Sequence, residues 1–286
     1  MPPKRKQRPG EVRRTVEALR AKKGVVATLY VVLRLAVLVI LVAQFLNRNF
    51  ENVFLCILTL VLFLVPTFIE RKIHVDLPDT LEVIILLFIF AAEILGEIQA
   101  YYITFPYWDT MLHTLNGFLC AAIGFSLLDI LNRNERLTFS LSPVYLAVVA
   151  FCFSMTIGVL WEFFECTMDQ LFLLDMQKDT IVHSIGSVML DPTGGNTPVA
   201  IHNITDVIVV TADGAQQSLG LGGYLDIGII DTMKDLFVNF IGAVVFSTIG
   251  FFYVKNRGKG KFAPQFIPTV VDDVETPSDQ NGPAQE

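Results

Sequence analysis

The sequence predicts an all-α polytopic membrane protein: six transmembrane helices threaded as three hairpins, with a small β-rich extracytoplasmic insertion between the fifth and sixth. Three observations carry this. Hydrophobic residues make up 53% of the 286 positions and charged residues only 17%, more apolar than one water-soluble core requires. Six apolar segments are each long enough to cross a hydrocarbon layer about 30 Å thick at about 1.5 Å per residue. Lys and Arg cluster on one side of that threading.

The segments run 24–46, 52–69, 79–101, 108–131, 143–166 and 231–254. The first is expected to remain as an anchor, because its apolar run exceeds a signal-peptide core. Around them the sequence divides into a basic tail (1–23), helices one to five (24–166), a cap (167–230), helix six (231–254) and a disordered, Pro- and Asp-containing tail (255–286). The tail 1–23, "ERK" at 70–72, "NRNER" at 132–136 and "KNRGKGK" at 255–261 hold most of the 21 Lys and Arg, which predicts cytoplasmic termini at both ends. The N-terminal tail is expected to lie on anionic lipid headgroups rather than on nucleic acid. Oligomeric state is not legible.

Two connections on the opposite side are short, "NRNFEN" and "TFPY", and the third is long. Alternating stretches "DTIVHSIGSVML", "TPVAIHNI" and "DVIVVTADG", separated by "DPTGGN", predict antiparallel β-hairpins. His183 and His202 fall there, either as ligands or as ordinary strand residues. "NIT" at 203–205 is a glycosylation sequon whose use depends on the host. Cys56, Cys120, Cys152 and Cys166 show no paired spacing, so they read as packing residues and not as a disulfide or thiolate framework.

Ionisable residues inside spans are costly and mark sites or pathways. Glu93 and Glu97 lie four apart in the third span. Asp109, His113 and Asn116 descend one face of the fourth, in "WDTMLHTLNG". Glu162 and Glu165 stand in "WEFFE" of the fifth, with Asp169 beyond, and Asp231, Asp235 and Asn239 repeat every four residues in the sixth. Asp109 and Asp231 also suit helix capping, and Glu97, Glu165 and Asp169 also suit contact with headgroup water. His113, Glu162 and Asp235 lie past the caps. So many carboxyls at one depth cannot all ionise without protons, a bound cation or a cationic substrate. Arg34, deep in the first span, either pairs with Glu93 or Glu162 or snorkels to the interface.

A divalent metal held by Asp109, His113, Glu162, Asp231 and Asp235 fits this donor set. One imidazole with carboxylates favours Mg, Mn, Ca or a carboxylate-rich iron or zinc site. Phosphate-loop, nucleophile-elbow and His-Glu-x-x-His signatures are absent.

"WDTMLHTLNGF", "WEFFE" and "GGYLDIGIIDTMKDLFVNFIGA" together resemble the YjdF-type bacterial inner-membrane proteins, a family of unknown function. The resemblance covers about 79–254 and matches Asp109 and His113, Glu162 and Glu165, and Asp226, Asp231 and Asp235 in order. It implies a bacterial plasma membrane and supplies no reaction. The long insertion between Asp169 and Gly222 exceeds the shorter members, and the first hairpin with its basic tail reads as an addition.

Three functions are compatible with these residues. A metal-assisted enzyme acting on a lipid or envelope substrate would use the five ligands above, with Glu165 or Glu93 as base and Arg34 orienting the acids. A cation- or proton-coupled transporter would use the same acids, although the other half of the bundle offers little beyond Glu82 and Asp129. An accessory or binding protein would use the network only to fix helix register.

Overall fold

The computed structural model describes residues 9–73, 75–133, 141–256 and 258–270. The chain divides into two compact units, 1–112 with 122–150 and 247–286, and 113–121 with 151–246.

In the first unit, α1 (Pro9–Leu46) turns through Arg48, at φ 57°, into α2 (Phe50–Leu62), whose first turn is capped by Asn49 Oδ1 accepting from Asn52 N at 3.1 Å. The helix thus begins inside the expected basic tail. The second apolar segment is a broken helix: α2 stops, Phe63 and Leu64 form a turn, and α3 (Val65–Ile73) follows. Pro66 is the cause, since it has no N–H for the Leu62 carbonyl. The Tyr30 hydroxyl donates to the Phe63 carbonyl at the break. Apolar packing of Val37, Cys56, Phe63, Leu86 and Ile94 then closes α1, α2 and the next helical segment on one another.

That segment is continuous from 79 to 98, but it changes type: α4 (Asp79–Ile89) passes into a π-helix (Phe90–Ile98). Gly96 lets the Tyr102 ring approach closely there, since a Cβ would lie 2.3 Å from that ring. Ala100, at φ 56°, ends the helix, and α5 (Tyr101–Thr104) leads to α6 (Trp108–Arg133). The Trp108 indole donates to the Ala91 carbonyl at 3.3 Å, filling an acceptor within the π-turns. Between α3 and α4, β1 (Val75–Asp76) pairs antiparallel with β8 (Thr269–Val270). Residues 262–270, expected as the start of a disordered tail, therefore contain a 3-10 turn (Ala263–Gln265) and a paired strand, with Phe266 and Ile267 buried. Residues 271–286, and 1–8 of the basic tail, lie outside the described residues.

The second unit takes 113–121 from α6, most of α7 (Pro143–Phe172) and the first two-thirds of α8 (Ile229–Lys255). Helix α7 runs to Phe172 instead of 166, because Leu173 in the left-handed region (φ 54°), not the acidic tail of "WEFFECTMDQ", stops it. The insertion forms three separate antiparallel pairs: β2 (Ile181–Val182) with β7 (Tyr224–Leu225), β3 (Ser184–Ser187) with β4 (Val199–His202), and β5 (Ile208–Val210) with β6 (Gln216–Ser218). The last hairpin turns at "TADGA". There Gly214 takes φ 85° and Asp213 Oδ1 accepts from Ala215 N at 3.2 Å.

Among the described residues, five helices are long and apolar enough to cross a membrane: Gly24–Leu46, Phe50–Glu70, Trp108–Asp129, Pro143–Phe172 and Ile229–Lys255. The protein is thus mostly helical with small antiparallel sheets toward its C-terminal half.

Candidate cation site

Glycines bring the three helices of the second unit together. At Gly117 on α6 an added Cβ would lie 2.1 Å from the Asn239 carbonyl oxygen of α8; at Gly242 on α8 it would lie 2.0 Å from the Thr114 carbonyl oxygen of α6. Gly158 on α7 admits the Asn239 amide in the same way, at 2.7 Å. Such close backbone approach is how membrane helices gain packing energy without a hydrophobic drive. Ser154 Oγ fixes α7 to α6 by donating to the Gly117 carbonyl at 2.7 Å.

Asn239, 1% exposed, forms the floor of the polar cluster. It accepts from Asn116 Nδ2 at 3.3 Å and points its own amide at Met155 Sδ at 3.6 Å, while Cys120 Sγ donates to Asn116 Oδ1 at 3.4 Å. One turn toward the insertion, His113 Nδ1 lies 3.8 Å from Glu162 Oε1. His113 and Asp235 present potential ligand atoms within 4.8 Å of each other, and Asp109 stands one turn earlier on the His113 helix. Glu162 Oε2 is buried with no hydrogen-bond partner among the described residues. The sequence period placed these residues on shared faces; the glycine contacts bring the faces together.

Above them the connection after α7 is tied down by carboxylates. Asp169 accepts from Met176 N at 2.7 Å and from Gln177 N at 2.9 Å; Asp231 Oδ2 accepts from Lys178 N at 2.8 Å while its Oδ1 meets Lys234 Nζ at 3.4 Å. Gln177 donates to Thr232, and both side chains lie beside the Glu162 carboxylate. Asp226 caps α8 by accepting from Ile230 N at 2.9 Å and also holds Thr180 N at 2.6 Å. Burial acts to raise the Asp226 pKa, but the N–H groups of Thr180, Ile230 and Gly228 together outweigh it and hold this carboxyl below its ordinary range. Asp179 is shifted the opposite way, by burial and then by the neighbouring charges of Asp175, Asp226 and Asp169.

The expected residues therefore divide. His113, Glu162 and Asp235 come together in the second unit, with Asp231 beside Glu162 and Lys234 and Asp109 one turn along from His113. Glu165 is buried on α7, its Oε1 accepting from Trp161 Nε1 at 2.8 Å. Glu93 is half-buried and Glu97 exposed on the π-helix of the first unit. The Arg34 guanidinium lies over the Tyr30 ring, 4.5 Å from the centroid, because Tyr30 stands one turn back on the same helix. His183 and His202 serve their own hairpins, with Nδ1 atoms 3.1 Å from the Ile204 carbonyl and 3.1 Å from Ser184 Oγ respectively. Sequence reasoning missed Gln177 and Thr232, which carry no charge and lie in or beside the turn, and it offered Asp231 as a ligand or a cap, whereas Asp226 caps α8.

These features define a multi-pass membrane protein with an acid and imidazole cluster enclosed by helices. The chain belongs to the DUF2238 family of predicted membrane proteins, whose model matches residues 29–256, in agreement with the YjdF-type resemblance. The match starts within the first hairpin, so that hairpin is part of the family and not an addition. Neither the curated proteins nor the solved structures contain a match.

Proposed function

We propose that the protein binds a divalent cation at His113, Asp235 and Glu162, and uses it in a metal-assisted reaction on a lipid or envelope substrate. The observation that carries this is the convergence of His113 and Asp235 to within 4.8 Å inside the bundle. Nitrogen and carboxylate donors without thiolate suit Mg, Mn, Ca or a carboxylate-rich iron or zinc ion. The bound charge would offset carboxylates that repel one another in low dielectric, and it would polarise a substrate oxygen. Glu165, whose Oε1 accepts from the Trp161 indole, is the candidate base. The Gly117 and Gly242 positions bring the backbones of α6 and α8 close together near Asn239. That favours a site open on one side over a path for transport.

The threading that goes with this reading has six spans, with both termini cytoplasmic in a bacterial inner membrane. Strand pairing supports the count. β1 and β8 are hydrogen-bonded, so residues 75–76 and 269–270 share one side of the membrane. An even number of crossings must separate them. Helices α6, α7 and α8 supply three, and the continuous 79–98 helix supplies the fourth.

The test is elemental analysis of detergent-purified protein prepared without chelator, wild type beside His113→Ala/Asp235→Ala. Stoichiometric metal lost from a still-folded variant is expected; a metal-free wild type that does not take up added Mg, Mn, Ca, Fe or Zn would overturn the reading.

A further inference from the structure

The segments joining the insertion to the bundle are apolar where a water-facing turn would be polar. Leu171, Phe172 and Leu173 end α7, with Leu173 88% exposed; Ile227 and Ile229 open α8, with Ile227 68% exposed. Leu173 and Ile227 both sit in the left-handed region, at φ 54° and 57°, where Gly or Asn is the ordinary choice in water. Residues 170–174 and 227–230 contain no Asp, Glu, Lys or Arg. Along both helices the exposed face continues as apolar surface, through Phe163 and Phe164 on α7 and Met233 and Phe237 on α8.

The backbone of these turns is unlike that of an ordinary surface loop. Met176, Gln177, Lys178, Thr180 and Ile230 all give their N–H groups to carboxylates of Asp169, Asp231 or Asp226. Irregular backbone survives near hydrocarbon only when its polar groups find partners within the protein. Polar groups turned inward and apolar side chains turned outward suit a lipid surroundings on both counts.

We propose that this collar is immersed in the bilayer at the boundary between headgroups and acyl chains, its partner being lipid and not a second copy of the chain. The His113 cluster, whose Glu162 and Asp235 lie about two turns from it along α7 and α8, then opens beneath the lipid surface. The collar rests on the membrane-spanning class alone and stands or falls independently of the cation.

The test uses spin labels in full-length protein reconstituted into vesicles of phosphatidylethanolamine and phosphatidylglycerol. Cys152 and Cys166, the exposed cysteines, are changed to Ser, while buried Cys56 and Cys120 remain. Single cysteines are placed by Leu173→Cys, Ile227→Cys and, in helical backbone, Leu171→Cys, with Ala212→Cys at the exposed hairpin tip as the water standard. The ratio of oxygen to water-soluble nickel-chelate collisions is expected to be severalfold higher at 171, 173 and 227 than at 212. Equal ratios would show that the collar faces water. Labels reached by neither reagent would show that protein covers it. Either result would overturn the proposal, and metal content measured on the same samples keeps this test separate from that of the cation.

Discussion

Gly242→Ala puts the glycine-mediated packing at risk most directly. The added carbon would lie 2.0 Å from the Thr114 carbonyl oxygen and 2.8 Å from the Phe118 nitrogen, and both are backbone atoms that cannot rotate away. Bringing the nearer contact out to the 3.0 Å below which real contacts essentially never occur requires α6 and α8 to part by about 1 Å. Overpacking of that kind costs about 1–3 kcal/mol. Alanine otherwise favours a helix over glycine by about 1 kcal/mol, so the two effects oppose each other and the steric one is larger. Gly24→Ala is the matched control, since Gly24 lies in α1 with nothing within 4 Å of its added carbon. Reversible unfolding in mixed micelles with rising denaturing detergent should show Gly24→Ala unchanged or up to about 1 kcal/mol more stable, and Gly242→Ala less stable by up to about 2 kcal/mol. If the two variants were equally stable, the backbone contact between α6 and α8 would not be what assembles the cluster.

Three further outcomes follow from the same geometry. Tyr30→Phe leaves the Phe63 carbonyl at the break in the second span without its donor, and should cost about 1–3 kcal/mol in the same unfolding assay. Asp226→Asn should be destabilising at neutral pH. The folded pKa of Asp226 lies below the unfolded value, so its stabilisation is present above the usual carboxylate range and is lost as pH falls through the lower folded value. The stability gap between wild type and variant should therefore close on acidification below about pH 4. Asn239→Ala removes the acceptor of Asn116 and vacates the space beside Gly158, and should lower stability even in metal-free protein, which separates the floor of the cluster from its ligands.

Hydropathy and four-residue spacing made much of this legible. A helix face is a local property, so Asp109 with His113, and Asp231 with Asp235 and Asn239, could be grouped without knowing what they meet. The hairpins of the insertion were readable for the same reason, since turn residues such as Asp213 and Gly214 act on their own neighbours. Contacts between segments distant in sequence were not readable. The fit of Gly117 to Asn239 and the pairing of Val75 with Val270 leave no periodic trace, and Pro66 announces a break without naming Tyr30 as the group that repairs it. The Tyr30 ring under Arg34 was not foreseen, because a charge deep in a span draws attention to acids and to the interface, whereas a tyrosine one turn away on the same helix was at hand. The π-helix escaped because its residues, "FAAEILGEI", also suit an α-helix; the Trp108 bond to Ala91 is visible only in three dimensions.

The three helices of the second unit also set an order of events for biosynthesis. Asn116 finds its acceptor on α8, and Glu162 has Thr232 of α8 beside it, yet α8 begins only at Ile229, after α7 has ended at Phe172 and the whole insertion has been made. At about 5–20 residues per second the ribosome needs several seconds to cover that interval. Through those seconds the imidazole, the amide and two carboxylates of α6 and α7 must be held in the membrane without the helix that completes them, so the nascent chain is most exposed to misassembly and quality control just before its last span arrives.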